Sequence, residues 1–406
     1  MPPRLPPPRL LLGISSGTSA DGVDLALVQV QGAGAHKRAQ LLAGERRPYP
    51  PALRAFLRST AAWGVAEVAR AHFELGEHFG REGRAFLEHA GYAPQQLAAA
   101  GSHGQTVFHH DGDPRQGSLQ LGDAAVVAAQ LSAPVVGDFR WSDLAAGGQG
   151  APISPYADWV LHRREAPWLA ILNLGGIANL TVLAGDAPPL AWDCGPANGP
   201  LDALVYAERG ADCDRDGILA AQGRLLPELF AALRADPYFA RPLPRSTGLE
   251  RFGRPFGQRA RQFAPAASLP DLLATLVELV AWSVADSLER AGQGGGPVFL
   301  CGGGARNPVL AAALRRRLTS PPGPRATRVV SYAELGWDPD LREAVAFALL
   351  ADAWQNGEPA SWPSTTGAAQ PALLGKLALP APSALSAFAA PPVAHEPPAP
   401  PAGGRC

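Results

Sequence analysis

Residues 11–28 read LLGISSGTSADGVDLALV and hold two incompatible sets of chemical groups. Gly13-Ile14-Ser15-Ser16-Gly17 fits G-x-S-x-G, the pattern that presents a nucleophilic serine on a strand-to-helix turn. The same stretch places Gly17, Thr18, Ser19, Asp21, Gly22 and Asp24 between two apolar runs. Close-approaching backbone N–H groups, hydroxyl donors and carboxylates are what a phosphate and its counter-ion require. A serine elbow needs a helix directly after the nucleophile. Here VDLALVQV follows, alternating with period 2 and rich in β-branched residues, so the next element is a strand. That disfavours the hydrolase. The loop alone leaves a phosphate clamp and an ordinary polar turn both open.

Further candidates lie downstream. In WDCGPANGPLDA (192–203), Asp193 follows an apolar strand end and precedes Cys194-Gly195-Pro196. A carboxylate there either caps the turn or serves as a base beside exposed backbone N–H groups. In CGGGARN (301–307), Gly302, Gly303 and Gly304 join a buried strand to a helix. Asn307 breaks G-x-G-x-x-G, so a Rossmann assignment fails, leaving a phosphate-approach loop or a tight turn. GSHGQTVFHH (101–110) and GDFRWSDLAAGGQGAP (137–152) carry His103, Gln105, Asp138, Arg140 and Asp143. Arg140 is either the partner of a ligand carboxylate or part of a salt-bridged scaffold with Asp138 and Asp143. No segment has metal-ligand spacing, and no residue is assigned as a metal ligand.

The elements that must position these groups alternate between strand and helix. Residues 10–16 and 23–31 read as a hairpin, and WLAILNLGGIANLTVL (168–183) as a second hairpin with glycines at its turn. Residues 65–91 show helical periodicity through Val68, Phe73, Leu75 and Phe79, stopping at Gly91. LAAAGSHGQTVFH is expected to run from a helix end into a short strand and loop. Ser268 caps a helix that closes at Gly292, another helix starts near Val309, and a last one covers 338–357. Each half of the chain opens with a hairpin whose loop is rich in glycine or aspartate. That duplication implies an α/β fold of two similar domains facing each other across a ligand cleft.

Composition narrows the function. The 406 residues suffice for two domains. Lys+Arg is 35 against Asp+Glu 36, which gives no pull toward nucleic acid or an anionic membrane. Lysine occurs only at Lys37 and Lys376, outside any P-loop pattern, which disfavours P-loop and Schiff-base chemistry. Four cysteines without a C-x-x-C pair point to reduced thiols. There is no signal-peptide pattern and no apolar run near the ~20 residues that span a bilayer. A cytoplasmic location is expected.

Taken in order, SGTSADGVDLALV, GSHGQT, GDFR…D.AAGGQGAP, NLGGIANLT, STGLERF, CGGGARNP, EAVAFALLA and PSTTGA resemble the signatures of the anhydro-N-acetylmuramic acid kinase family. The family is part of the sugar kinase/Hsp70/actin (ASKHA) superfamily, and the resemblance runs from about Gly13 to Gly375. It implies two ASKHA-type (ribonuclease H-like) α/β domains flanking a nucleotide-binding cleft. The expected boundaries are a Pro-rich extension at 1–8, a first domain at 9–145 plus 360–379, a second at 146–359, and a disordered Pro/Ala-rich tail at 380–406. The implied reaction converts 1,6-anhydro-N-acetylmuramic acid, ATP and water to N-acetylmuramic acid 6-phosphate and ADP, with Asp193 as base. A non-catalytic ATP- and sugar-binding regulator on the same scaffold is the alternative.

By the same resemblance, the loop Gly17, Thr18, Ser19, Ala20, Asp21, Gly22, Val23 and Asp24, with Gly195 and Gly302–Gly304, faces ATP and Mg²⁺. His103, Gln105, Arg140 and Glu343 are the candidate sugar contacts, with Arg140 toward the lactyl carboxylate. The family's DTGPGN stands here as Asp193-Cys194-Gly195-Pro196-Ala197-Asn198. Cys194 in place of Thr is expected to weaken a phosphate contact, because a thiol donates poorly. STGLERF departs from the usual Arg-Glu-Tyr-Phe ending. The expected partners are the sugar and ATP, with neither nucleic acid nor membrane; a homodimer is compatible with the sequence.

Overall fold

The computed structural model describes residues 7–17, 20–57, 59–60, 63–110, 113, 115, 117–319 and 327–381. Thr18 and Ser19 lie outside the described residues, as do residues 1–6 of the extension and 382–406 of the expected tail.

Two sheets carry the architecture. The strands of the first are β1 (Arg9–Ser16), β2 (Gly22–Gln31), β3 (Arg38–Pro48), β4 (Leu97–His109), β5 (Ser118–Leu121), β6 (Val135–Gly137) and β12 (Lys376–Ala378). Its order is β12-β6-β4-β1-β2-β3, with β5 on β4. The second sheet holds β7 (Leu169–Leu174), β8 (Ile177–Leu183), β9 (Leu190–Pro196), β10 (Pro297–Cys301) and β11 (Arg328–Ser331), in the order β11-β10-β7-β8-β9. In each, three antiparallel strands lead off and two strands follow parallel to the first. The core β3-β2-β1-β4-β6 therefore repeats as β9-β8-β7-β10-β11. The two sheets thus share one duplicated α/β arrangement, as the sequence implies.

Burial on both faces explains the apolar runs. Along β1, Leu11 packs in one cluster with the helix Arg342–Gln355, while Leu12 and Ile14 pack in another with the helix Val65–His89. The period of two along a strand splits them this way. In the second sheet, Leu172, Leu180 and Val298 pack with Leu272, Leu276 and Val280 of the helix Leu269–Arg290. Ser268 caps that helix as expected, its Oγ accepting from the Asp271 N–H at 3.2 Å.

Three expectations need correction. Phe73 is 56% exposed, because the buried face of its helix runs through Ala71, Leu75, Phe79 and Phe86 and leaves residue 73 on the solvent side. LAAAGSHGQTVFH is not a helix end and short strand but one thirteen-residue central strand, β4. Its small residues imitate helix propensity; they serve instead to let a helix lie close. The helix Arg342–Gln355, within the segment expected in the second domain, packs on the first sheet.

That helix is seated by two glycines. A Cβ on Gly13 of β1 would stand 1.7 Å from the Ala344 carbonyl oxygen, and one on Gly101 of β4 would stand 2.0 Å from that of Phe347. Absence of side chains there brings the helix flush against the sheet, with Glu343 beside the end of β1. Among the described residues, no helix is long and apolar enough to cross a membrane.

Candidate active site

The ends of both sheets open onto two adjoining cavities. The larger, about 960 Å³, is lined by Gly17, Asp21, Asp24, Arg46, Arg54, Asn198, Gly302, Gly303, Gly304 and Arg306, among others. The smaller, about 470 Å³, is lined by Ala20, His103, Gln105, Arg140, Asp193, Ser246 and Thr247, among others. Asn173, Gly175, Gly176, Arg342 and Glu343 line both. The sequence-derived nucleotide and sugar residues thus fall largely into two separate but touching spaces.

Ser15 is no elbow nucleophile. It is buried at the end of β1, a strand follows the loop, and its Oγ donates to Glu343 Oε2 at 3.2 Å. Around it the loop is tied down. Tyr49 donates to Ser16 Oγ at 2.7 Å, Ser16 Oγ lies 2.6 Å from Gln105 Oε1, and Gln105 Nε2 donates to the Gly17 carbonyl at 3.0 Å. Gln105 lines the smaller cavity, yet its amide is spent on the loop. Asp24 accepts two hydrogen bonds from Arg46, at 2.6 and 3.0 Å.

Not every loop residue reaches a cavity. Val23 is buried in the core beneath the Val65–His89 helix, and a Cβ on Gly22 would stand 2.4 Å from the Arg47 carbonyl oxygen of the paired strand. Ala20 lines the smaller cavity rather than the larger. Gly195 lines neither; at φ +148° it packs where a Cβ would stand 2.8 Å from the Phe239 ring.

Asp193 sits on β9, the edge strand, with its side chain toward the smaller cavity. Its Oδ2 accepts from the Thr247 N–H at 2.8 Å and Ser246 Oγ at 3.0 Å. Its backbone carbonyl accepts from the Tyr238 hydroxyl at 2.9 Å and Arg245 Nε at 3.2 Å. Burial pushes its carboxyl up to about 6, against the opposing pull of those hydrogen bonds and of Arg140 and Arg245. Such a carboxylate is poised to exchange a proton near neutrality.

Strand alternation turns the neighbouring Cys194 the other way. Its Sγ is fully buried against the Leu269–Arg290 helix, accepting from Ser287 Oγ at 3.3 Å, and burial pushes the thiol up to about 12. The expected phosphate contact from position 194 is therefore corrected: the side chain belongs to the core.

Arg140 also departs from its scaffold reading. Asp138 pairs with Lys376 at 2.8 Å, while Asp143 accepts from the Gly150 N–H and Thr366 Oγ1, both at 2.7 Å. Arg140 instead donates through Nε to His103 Nε2 at 3.1 Å and through Nη1 to the Gly150 carbonyl at 2.7 Å. Burial lowers its pKa to about 10, so it remains a cation at neutral pH. His103 lies flat on Phe347, centroids 4.5 Å apart. Burial and the Arg140 charge hold it well below the usual imidazole range, consistent with an unprotonated Nε2 that accepts.

The sequence reading matches NLGGIANLT and STGLERF to the family but assigns no role to Asn173, Gly175 and Gly176, which line both cavities from the β7–β8 turn, or to Ser246 and Thr247. The paired glycines at a hairpin tip, matching the β1–β2 loop in the other sheet, were a further signal. The β9-to-helix turn is latched to them, the Asn198 N–H donating to the Gly175 carbonyl and the Gly199 N–H to Gly176, each at 3.0 Å.

The family model described as anhydro-N-acetylmuramic acid kinase matches residues 9–380. An anhydro-N-acetylmuramic acid kinase of Pseudomonas putida is 42% identical over 372 residues, covering 91% of this chain and 99% of that one. One from Gloeobacter violaceus is 42% identical over 381 residues, covering 91% and 98%. A solved ROK family glucokinase from Streptomyces griseus, in complex with glucose and AMPPNP, matches with TM-score 0.39 and 13% identity over 84% of this chain and 98% of that one. With nearly its whole described length matched and two-fifths of its residues shared, this chain belongs to the anhydro-N-acetylmuramic acid kinase family.

Proposed function

We propose that this chain opens the internal ether of 1,6-anhydro-N-acetylmuramic acid with water and phosphorylates the freed O6 from ATP. The products are N-acetylmuramic acid 6-phosphate and ADP. Water forms a bond to the anomeric carbon as the C1–O6 bond breaks. The O6 electron pair attacks the γ-phosphorus and ADP departs, while Asp193 takes one proton from the water. The carrying observation is a buried carboxylate, held near neutrality, in a sugar-sized cavity that opens directly onto a nucleotide-sized cleft. A non-catalytic regulator is not favoured, because that carboxylate and both glycine loops are retained in a chain of the kinase family.

In this reading the backbone of Gly17 and of Gly302–Gly304 approaches the ATP phosphates. Magnesium takes one or two carboxylates together with phosphate oxygens. Asp21, Asp24 and Glu343 line the nucleotide cleft and fit that donor set; Asp24 also accepts from Arg46 and Glu343 from Ser15. Among the described residues no cluster of three or more ligating side chains would hold a metal by itself. Those carboxylates would hold the ion, which would supply charge neutralisation of the phosphates. Arg140 pairs with the lactyl carboxylate, His103 orients Arg140, and Gln105 positions the loop. The chain serves cell-wall recycling in the cytoplasm.

Two measurements test this. Incubation with ATP and the anhydrosugar should yield a product heavier by one phosphate and one water, read by mass spectrometry. Simple phosphorylation without water would refute the reaction. D193N should lose about 10²–10⁴-fold in kcat while keeping ATP binding; near-normal turnover would remove Asp193 from the mechanism.

A further inference from the structure

Residues 244–248 run as a strap beside β9, and the hydrogen bonds between the two are lopsided. The Asp193 N–H donates to the Arg245 carbonyl at 2.9 Å, which locks the registers together. Two donors then converge on one carboxylate oxygen: the Thr247 N–H and Ser246 Oγ both bind Oδ2. Among the described residues, no hydrogen bond engages Oδ1. Ser246 is 2% exposed and Thr247 5%, so these bonds are shielded from bulk solvent. Beneath the strap, the buried Arg245 guanidinium donates to the carbonyls of Asp193, Cys194, Tyr238 and Phe239, which fixes the strap to the strand end.

We propose that Ser246 is a positioning residue for the reaction: with the Thr247 N–H it occupies Oδ2 of Asp193, so that Oδ1 is the oxygen that takes the proton from water. A carboxylate with both oxygens unrestrained could rotate and accept through either. Two donors on one oxygen fix the plane of the group and stabilise its charged form. Ser246 touches neither water nor sugar in this role; it acts through Asp193. The inference rests on the reading of Asp193 as base.

The groups facing the Asp193 carboxyl are Arg140, from the loop after β6, and Arg245, from the strap. Tyr238 and Cys194 flank its backbone. His103, Glu250 and Glu343 line the same cavity. Substituting Ser246 removes none of these charges, so a change in the proton affinity of Asp193 would report the lost hydroxyl itself.

The test is the pH dependence of kcat/KM for the anhydrosugar in wild type, S246A and S246T, with D193N alongside. Loss of one donor to the ionised carboxylate should move the acid limb of S246A up by about one pH unit. Activity at pH 6.5 should then fall several-fold, and most of it should return in the alkaline plateau. S246T keeps the hydroxyl and should restore the wild-type limb, and ATP KM should stay the same throughout. If S246A does not fold, S246C carries the comparison, since a thiol donates poorly. A uniform loss at every pH, or an unmoved limb, would overturn the role of Ser246. Substantial turnover in D193N would overturn the base assignment instead, so the two failures are distinguishable.

Discussion

As the proposed base, Asp193 is a carboxyl group that burial makes reluctant to ionise where its charge is needed. Its pKa of about 6 leaves it ionised at neutral pH but only narrowly. A base must be deprotonated to act, so kcat/KM should fall as pH drops through about 6, approaching tenfold per unit below it. A profile still flat at pH 5 would contradict this. Arg140 offers a second residue-scale outcome. R140A should raise KM for the muramic substrate far more than for an analogue lacking the lactyl group, and equal increases would remove its carboxylate role. Asp193 stood out in the sequence because an apolar strand run leads into it, and its reading as base came from the family resemblance. Ser246 lay within the STGLERF signature without an assigned role, since its partner is 53 positions away and only the folded strap brings the two together. Cys194 misled for a simpler reason. A one-residue step along a strand moves a side chain from cleft to core, and a motif does not display that step.

At the level of elements, the helix Arg342–Gln355 shows how a glycine can serve a site it does not touch. Gly13 fitted a hydrolase pattern in sequence; in the fold it lets the Ala344 backbone seat against β1. Any side chain there must push the helix outward. G13A should therefore destabilise the protein by about 1–3 kcal/mol or more in urea titration. It should also lower kcat through displacement of Glu343, while G185A, with nothing near its Cβ position but φ at +58°, should cost some stability through the backbone alone and leave activity unchanged. The hairpins and the long capped helices were legible because periodicity and capping are local signals. β4 was not: Ala99, Ala100 and Gly101 are small because helices lie close on both faces, a tertiary cause that reads locally as helix propensity. The membership of the Arg342–Gln355 helix was hidden likewise. Sequence order does not announce that the chain has crossed back to the first sheet; we place that return before residue 342.

For the whole molecule, duplication was visible as two glycine-rich hairpins, and the repeated strand order explains it. Each sheet contributes the mouth of its first hairpin to the same cleft. The five residues shared by the two cavities mean that no wall divides them. In the proposed reading a phosphorylated sugar straddles the junction: its ring fills the space the next anhydrosugar needs, and its phosphate fills the space of the next γ-phosphoryl group. Accumulating N-acetylmuramic acid 6-phosphate should accordingly slow its own synthesis by competing with both substrates. In initial-rate kinetics, adding either substrate to saturation should relieve that inhibition. The enzyme would then throttle itself whenever the step that consumes its product falls behind.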